Sequence, residues 1–373
     1  MAPIDETSGI ESVEVIPYAL PFRRPYVTAR GSLGRREIVL LRVRTREGAR
    51  GLGEAVPLSL RGGESLAEVA SQLRSWDGVG IPSVFGGPAR CAIATALADA
   101  AARELDLPLH ELLRRRSGKT AQAPAATDRE EGGEEAGFEA GRPEPVRCNA
   151  TLTAGSPAEV FAQAESWAED GFRTFKLKLG PEGDTGQVEA LRLGLGPDVR
   201  IRIDVNATWT VDQAAAELDR LAPFGLELVE QPVEGLEAMA ELARRCDVPL
   251  VADEDVTSRT DAAEAATLKA AAAVTVKLSK IGGLDAALGG HLPTYLSSAL
   301  DGPVGIAAAA HVAVGLEPAA PWDDADHGLA TERLFDATIA KEGPLLRGSF
   351  LQPPAGPGLG VTIDESALRS CRL

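Results

Sequence analysis

The chain has 373 residues, beyond the size at which a single hydrophobic core keeps growing, so at least two domains are expected. Its hydrophobic content of 44% and charged content of 25% are those of an ordinary globular protein. A net charge of -17 disfavours nucleic acid and anionic membrane surfaces as partners. No apolar run reaches the length of a membrane span and the first residues lack a basic-then-apolar leader pattern, so the cytoplasm is the expected location.

From Glu11 to Leu58 three segments alternate as strands, SVEVIPYALPF, EIVLLRVRT and ARGLGEAVP, and read as an antiparallel meander. Helical patterns follow in LAEVASQLRSW and in ARCAIATALADAAARELDLPLHELL, whose closely spaced alanines suit a tightly packed, buried helix. Residues 1–117 are thus expected to form an α+β unit. Between Gly118 and Pro145 the composition turns to Gly, Pro and seven acids with one aromatic residue, which reads as a flexible acidic linker or surface loop. A barrel of strands and helices is expected over 146–341, beginning with VRCNATLT at 146–153 and a helix capped by Ser156 with Pro157 in its first turn.

Beyond that helix, charged residues recur at the ends of short apolar runs: Lys178, Asp204, Glu230, Asp253 and Lys277, in steps of 26, 26, 23 and 24 residues. Each step is the length of one strand, one helix and two short loops. The runs TFKL, VRIRI, LELV, VPLVA and AVTV have the composition of strands buried on both faces. In a β/α barrel such strand ends converge on one mouth, which would gather three carboxylates and two lysines. Two carboxylates about 4 Å apart repel by roughly 4 kcal/mol at an effective dielectric near 20, so three need a counter-charge. Hard oxygen ligands with no His or Cys point to Mg²⁺ or Mn²⁺ rather than zinc. The plainer alternatives are that acids end strands because loops are polar, and that strand-end lysines snorkel or pair with neighbouring acids.

After Lys277 only LDAALGGHL is available for a helix, shorter than the others. A strand over 294–302 carries Ser297, Ser298 and Asp301, PVGIAAAAHVAVGLE forms the next helix, and a final short strand passes through WDDADHGLAT. The four cysteines have no metal-type spacing and are expected as free buried thiols. None of the four histidines falls in the strand-end series, so a histidine base is not expected.

The K-x-K at Lys176 and Lys178, Asp204 with Asn206, Glu230 with Gln231 and Pro232, Asp253 with Glu254, and Lys277 ahead of Gly282 and Gly283 resemble the enolase superfamily, and within it the muconate-lactonizing subgroup. The resemblance spans nearly the whole chain and implies a (β/α)7β TIM-like barrel with an α+β capping domain, completed by the tail from about Glu342. It implies that Asp204, Glu230 and Asp253 hold Mg²⁺ and that the metal stabilises the enediolate formed from a small-molecule carboxylate substrate. It makes Lys178 the base, Lys176 the neighbour that lowers its pKa, and Lys277 the group on the other face. Asn206 and Glu254 become supporting groups, and Lys280 a basic position of unassigned role. Ser297, Ser298 and Asp301 come to lie near the site, and the capping loops bring Arg30 and Arg61 towards the substrate, although loop arginines are commonly just solvated.

LSSALDGPVGIAAAAHVAVGL and HGLAT look most like o-succinylbenzoate synthases, which dehydrate a succinyl-hydroxycyclohexadiene carboxylate in menaquinone synthesis. Dipeptide epimerases, N-succinylamino acid racemases and muconate cycloisomerases are the alternatives within the subgroup. The epimerases use an Asp-x-Asp in the last barrel strands to hold an ammonium, and Asp324 and Asp326 have that spacing. A reading of another class is a non-catalytic metal-binding barrel. The sequence leaves monomer and homo-oligomer both open.

Overall fold

The computed structural model describes residues 9–28, 31–58, 62–117, 143–179, 185–316 and 325–373. Arg30, Arg61, Asp324 and the acidic stretch 118–142 lie outside the described residues. Three strands, β1 (Ile10–Thr28), β2 (Gly31–Thr45) and β3 (Arg50–Ala55), form the expected antiparallel meander in the order β1-β2-β3. Helix α1 (Leu66–Ser75) opens on a capping box between Ser65 and Glu68, which satisfies two otherwise orphaned N–H groups. The alanine-rich helix splits into α2 (Gly87–Glu104) and α3 (Leu109–Arg116), because Pro108 cannot continue a helix and serves as the N-cap of the second. Helices α1 and α2 pack on one face of the meander around Val39, Leu41, Leu73 and Ile93.

The segment read as the first barrel strand divides. Strand β4 (Val146–Arg147) pairs antiparallel with a strand near the C-terminus, and β5 (Ala150–Leu152) enters the barrel. There follow α4 (Pro157–Glu169), β6 (Thr174–Lys178), α5 (Thr185–Leu195), β7 (Arg200–Asp204), α6 (Val211–Leu221), β8 (Leu228–Glu230), α7 (Leu236–Ala243), β9 (Leu250–Ala252), α8 (Arg259–Leu268) and β10 (Ala273–Val276). Ser156 caps α4 with Pro157 in its first turn, as the sequence indicates. After β10 the helix shrinks to one turn, α9 (Leu278–Ile281), closed by Gly282 in the left-handed region, and a 3₁₀ turn at Leu288–Gly290. Strand β11 (Thr294–Leu296) is shorter than the 294–302 expected, because the chain turns away after Ser298. Helix α10 (Pro303–Val314) is almost wholly buried.

Strands β5 to β11 form one parallel sheet in sequence order. Two residues close it. The His327 N–H donates to Arg147 O and its carbonyl accepts from Asn149, while the Gly328 N–H donates to Leu296 O and its carbonyl accepts from Ser298. His327–Gly328 is therefore an eighth strand, bridging the first barrel strand to the seventh. The tail contributes β12 (Ala340–Glu342), β13 (Leu345–Arg347), β14 (Phe350–Gln352), β15 (Thr362–Ile363) and α11 (Glu365–Cys371). β14 pairs with β4, and the end of the chain returns to β1, where Leu373 N–H donates to Pro17 O. All four cysteines are free, with Cys91 and Cys148 buried and Cys246 and Cys371 partly exposed. Among the described residues no helix is long and apolar enough to cross a membrane.

Candidate active site

The register of the sheet sets Lys178, Asp204 and Glu230 side by side on β6, β7 and β8. Asp253 follows β9 and Lys277 follows β10 at the same end of the barrel. Strands β6 and β10 are four places apart around an eight-stranded closure, so Lys178 and Lys277 approach from opposite walls. Lys176, Lys178 and Lys277 are each less than 8% exposed, and Asp204, Glu230 and Asp253 are wholly buried.

Buried charge at this density must be paired. Lys178 donates to Asp204, and Lys176 lies 3.0 Å from Asp204 and 2.5 Å from Glu230. Lys277 donates to Asp253 and stands 3.8 Å from Glu230 Oε1, and Lys280 lies 2.9 Å from Asp253. Burial alone would raise the Asp204 pKa, but Lys176 and Lys178 overcome it and hold the carboxyl well below the usual range. Glu230 is displaced the other way, by burial and then by the charge of Asp204. Burial works to lower Lys176, yet Asp204 and Glu230 hold it well above an ordinary lysine. The two carboxylates thus keep the Lys176 ammonium charged.

Among the described residues no three metal-ligating side chains already stand around one point, because lysine ammonium groups lie between the carboxylates. The donor set nevertheless suits a hard divalent cation. Glu230 Oε1 is buried and accepts no hydrogen bond, an acceptor left for a partner that the lysines do not supply.

Above the lysines opens a cavity of about 750 Å³, measured out to open solvent. Lys176, Lys178, Lys277 and Asn206 line its floor, and Ser297, Ser298 and Leu300 one wall. Asn206, in the left-handed region that Asn tolerates, lies 3.4 Å from Lys178 Nζ and donates to Glu254 Oε1 at 3.0 Å. Glu254 and Asp301 do not line the cavity; Asp301 folds back to accept from Ser298 Oγ and Ala299 N–H.

Sequence reasoning missed Arg36, Tyr26 and Thr331, which also line the cavity. Arg36 shares strand phase with Ile38 and Leu40, both buried, and that alternation was the available signal. Asp326 does not reach the site. It pairs with Arg147 at 2.9 Å and with Arg200, the first residue of β7, at 3.2 Å, which puts it at the opposite end of the barrel from Asp204. The residues at the cavity end of the closing strand are Leu329, Ala330 and Thr331.

Residues 159–367 match the family model described as Enolase C-terminal domain-like, and residues 10–114 match that of the mandelate racemase / muconate lactonizing enzyme N-terminal domain. The chain belongs to the enolase superfamily. Within it the protein falls in the muconate-lactonizing subgroup, whose enzymes are lyases and isomerases. This enolase-superfamily chain is 39% identical over 221 residues, 56% of its length and 67% of the relative's, to the o-succinylbenzoate synthase of Thermobifida fusca (strain YX). It is 30% identical over 394 residues, 97% of its length and 98% of the relative's, to muconate cycloisomerase 1 of Rhodococcus opacus. The crystal structure of the muconate lactonizing enzyme of Pseudomonas fluorescens complexed with muconolactone superposes with a TM-score of 0.85 at 27% identity, covering 98% of this chain and 100% of that one. Enzymes of this superfamily bind Mg²⁺.

Proposed function

We propose that this protein is a Mg²⁺-dependent o-succinylbenzoate synthase, removing water from 2-succinyl-6-hydroxy-2,4-cyclohexadiene-1-carboxylate in menaquinone synthesis. The observation that carries the reading is the charge of the cavity. Arg36, Lys176, Lys178 and Lys277 face it, the carboxylates that pair with the lysines lie beneath the floor, and no acidic side chain is among the described lining residues. That lining suits a substrate with two carboxylates and no cation. A dipeptide would bring an ammonium group, and Leu329, Ala330 and Thr331 offer it no counter-charge at the cavity end of the closing strand. The 39% identity to a relative named as this synthase supports the same choice.

Asp204, Glu230 and Asp253 would hold the Mg²⁺, with Glu230 Oε1 its most available oxygen. When bound, the cation supplies positive charge at the substrate carboxylate as the neighbouring carbon loses its proton. Lys178 gives up its ion pair with Asp204 and, once neutral, takes that proton at Nζ. Lys178 Nζ then hands that proton to the hydroxyl on the adjacent ring carbon as its C–O bond breaks, so that water leaves, the ring becomes aromatic and Lys178 is neutral again. Lys277, on the far wall, keeps its proton and faces the developing negative charge. The antiparallel sheet, through Tyr26, Pro57 and Leu58, covers the mouth and limits water.

One observation favours a second reading. Lysines on opposite walls suit proton removal from one face and return to the other, the chemistry of an N-succinylamino acid racemase, whose substrate is also a dicarboxylate. The discriminating experiment offers the purified protein the cyclohexadiene dicarboxylate, an N-succinylamino acid, a dipeptide and muconate in deuterated water with Mg²⁺. Aromatisation well ahead of α-carbon exchange in the other substrates is the expected result. Faster exchange in the N-succinylamino acid would favour the racemase, and no turnover with retained Mg²⁺ binding would favour a non-catalytic barrel.

A further inference from the structure

Along β3 the side chains alternate between two surroundings. A Cβ on Gly51 or Gly53 would come within 2.0 or 1.9 Å of the Ala96 or Ala92 carbonyl oxygen, so this face lies flush on α2. Glu54, next in the strand, points to the opposite side, towards the barrel. Although only 3% exposed, it is fully engaged. Oε1 accepts from Gly302 N–H at 2.5 Å, and Oε2 accepts from Val304 N–H at 3.2 Å and from the Tyr18 hydroxyl at 3.0 Å. Gly302 is the N-cap of α10 and has no side chain with which to cap it, nor is there an acid in that helix's first turn. Glu54 therefore caps a barrel helix from the antiparallel sheet. The fit is close: a Cβ on Gly302 would stand 2.3 Å from Tyr18 Oη.

Arg36 grips the preceding residues. It is 6% exposed, and its Nη2 donates to Pro57 O at 2.7 Å and to Ala299 O at 3.0 Å. Between these holds lies the turn 297–302, four of whose residues, Ser297 to Leu300, line the cavity. Leu300 sits at φ 67, a conformation that apolar side chains rarely adopt and that persists only where surrounding contacts impose it. Asp301 holds the turn from within, through Ser298 and Ala299, and Glu54 and Arg36 hold it from without.

We propose that Glu54 and Arg36 are positioning residues that set the cavity wall after β11, so that the antiparallel sheet fixes substrate fit through this turn as well as through residues that line the mouth. This rests on the reading of the lysine-floored cavity as the substrate site. The carboxylate sets where α10 begins, the guanidinium sets the height of Ala299, and the side chains between them meet the part of the substrate remote from the lysines. Neither residue is assigned a proton transfer.

The test is Glu54→Ala in the full chain, read by hydrogen–deuterium exchange and by steady-state kinetics on whichever dicarboxylate is turned over. The expected result is exchange at the amides of 299–305 faster by about tenfold, equivalent to ~1.4 kcal/mol, with β6 to β10 unchanged. KM rises about tenfold while kcat changes little, because the wall binds substrate without reacting with it. Glu54→Gln, which keeps an acceptor for the Gly302 N–H, recovers most of both effects. Arg36→Lys raises KM in the same way. If Glu54→Ala does not fold, Arg36→Lys carries the two readouts, its lost hold on Ala299 O being read by exchange across 299–305. Unchanged exchange across 299–305 overturns the proposal, as does a lower melting temperature with both kinetic constants unaltered. If none of the dicarboxylates is turned over, the functional reading fails while the exchange result still decides the clamp.

Discussion

Replacing Glu230 by Gln keeps the shape of this wholly buried side chain and removes its charge. In the cation-free protein the change has opposing effects. Glu230 loses the attraction of Lys277 at 3.8 Å, roughly 4 kcal/mol at an effective dielectric near 20, and of the closer Lys176. It also sheds the desolvation of a wholly buried carboxylate, several kcal/mol, and the repulsion from Asp204 that raises its pKa. The stability of the cation-free protein should therefore move by no more than about 2 kcal/mol. The response to Mg²⁺ should move much more. At free Mg²⁺ of about 100 times its Kd, binding to the folded state alone contributes ~2.7 kcal/mol, a rise of several degrees in Tm. If losing one charged oxygen weakens binding about 100-fold, the same Mg²⁺ contributes only ~0.4 kcal/mol and a rise below about 1 °C. Calorimetric melting of both proteins with Mg²⁺ or chelator at matched ionic strength measures the difference. An equal Mg²⁺-induced rise in Glu230→Gln would remove Glu230 from the ligand set.

Lys178→Ala should lower turnover by about a thousandfold in a protein that still folds and binds Mg²⁺; activity within about tenfold of wild type removes Lys178 from the mechanism. Asp326→Asn should cost about 1 kcal/mol in urea unfolding, because the part-exposed Arg147 and Arg200 lose a charged partner but keep access to water, with KM unaltered. A selective loss of dipeptide binding in that variant would instead place Asp326 at the substrate. His311 is wholly buried and held neutral, pushed down to about 3 by burial and then by His110, whose Nδ1 lies 3.0 Å from its own. Its folded pKa is depressed, so its contribution is present above the ordinary histidine value of about 6.5 and is lost as pH falls from there towards 3. Urea midpoints across that window should fall more steeply for wild type than for His311→Gln, and identical slopes would refute the assignment.

The site was legible because a barrel repeats at the length of its βα unit. Five charged residues in step had to meet wherever the strands ended, and the structure brings Lys178, Asp204, Glu230, Asp253 and Lys277 to one mouth. The closing strand was harder to read, since His327–Gly328 is two residues long and has no period. The split at 146–152 depends on a partner, β14, some two hundred residues away. Arg36 and Glu54 were missed as buried groups because a charged residue in an alternating strand reads as its solvent face, and only the phase of Ile38 and Leu40 or the glycines beside Glu54 say otherwise. Asp326 shows the converse: spacing in the chain does not say at which end of a strand a carboxylate emerges. The helix after Lys277 was recognisably short: LDAALGGHL keeps only the 3₁₀ turn at Leu288–Gly290, and the single turn of α9 precedes it.

The most direct test of the central claim is the ultraviolet absorbance of the succinyl-hydroxycyclohexadiene carboxylate after mixing with purified protein and Mg²⁺, with and without chelator. Rapid aromatisation that chelator abolishes and Mg²⁺ restores is the predicted result. Absorbance that changes no faster than in the protein-free control, from a folded protein shown to bind Mg²⁺, would contradict the synthase assignment.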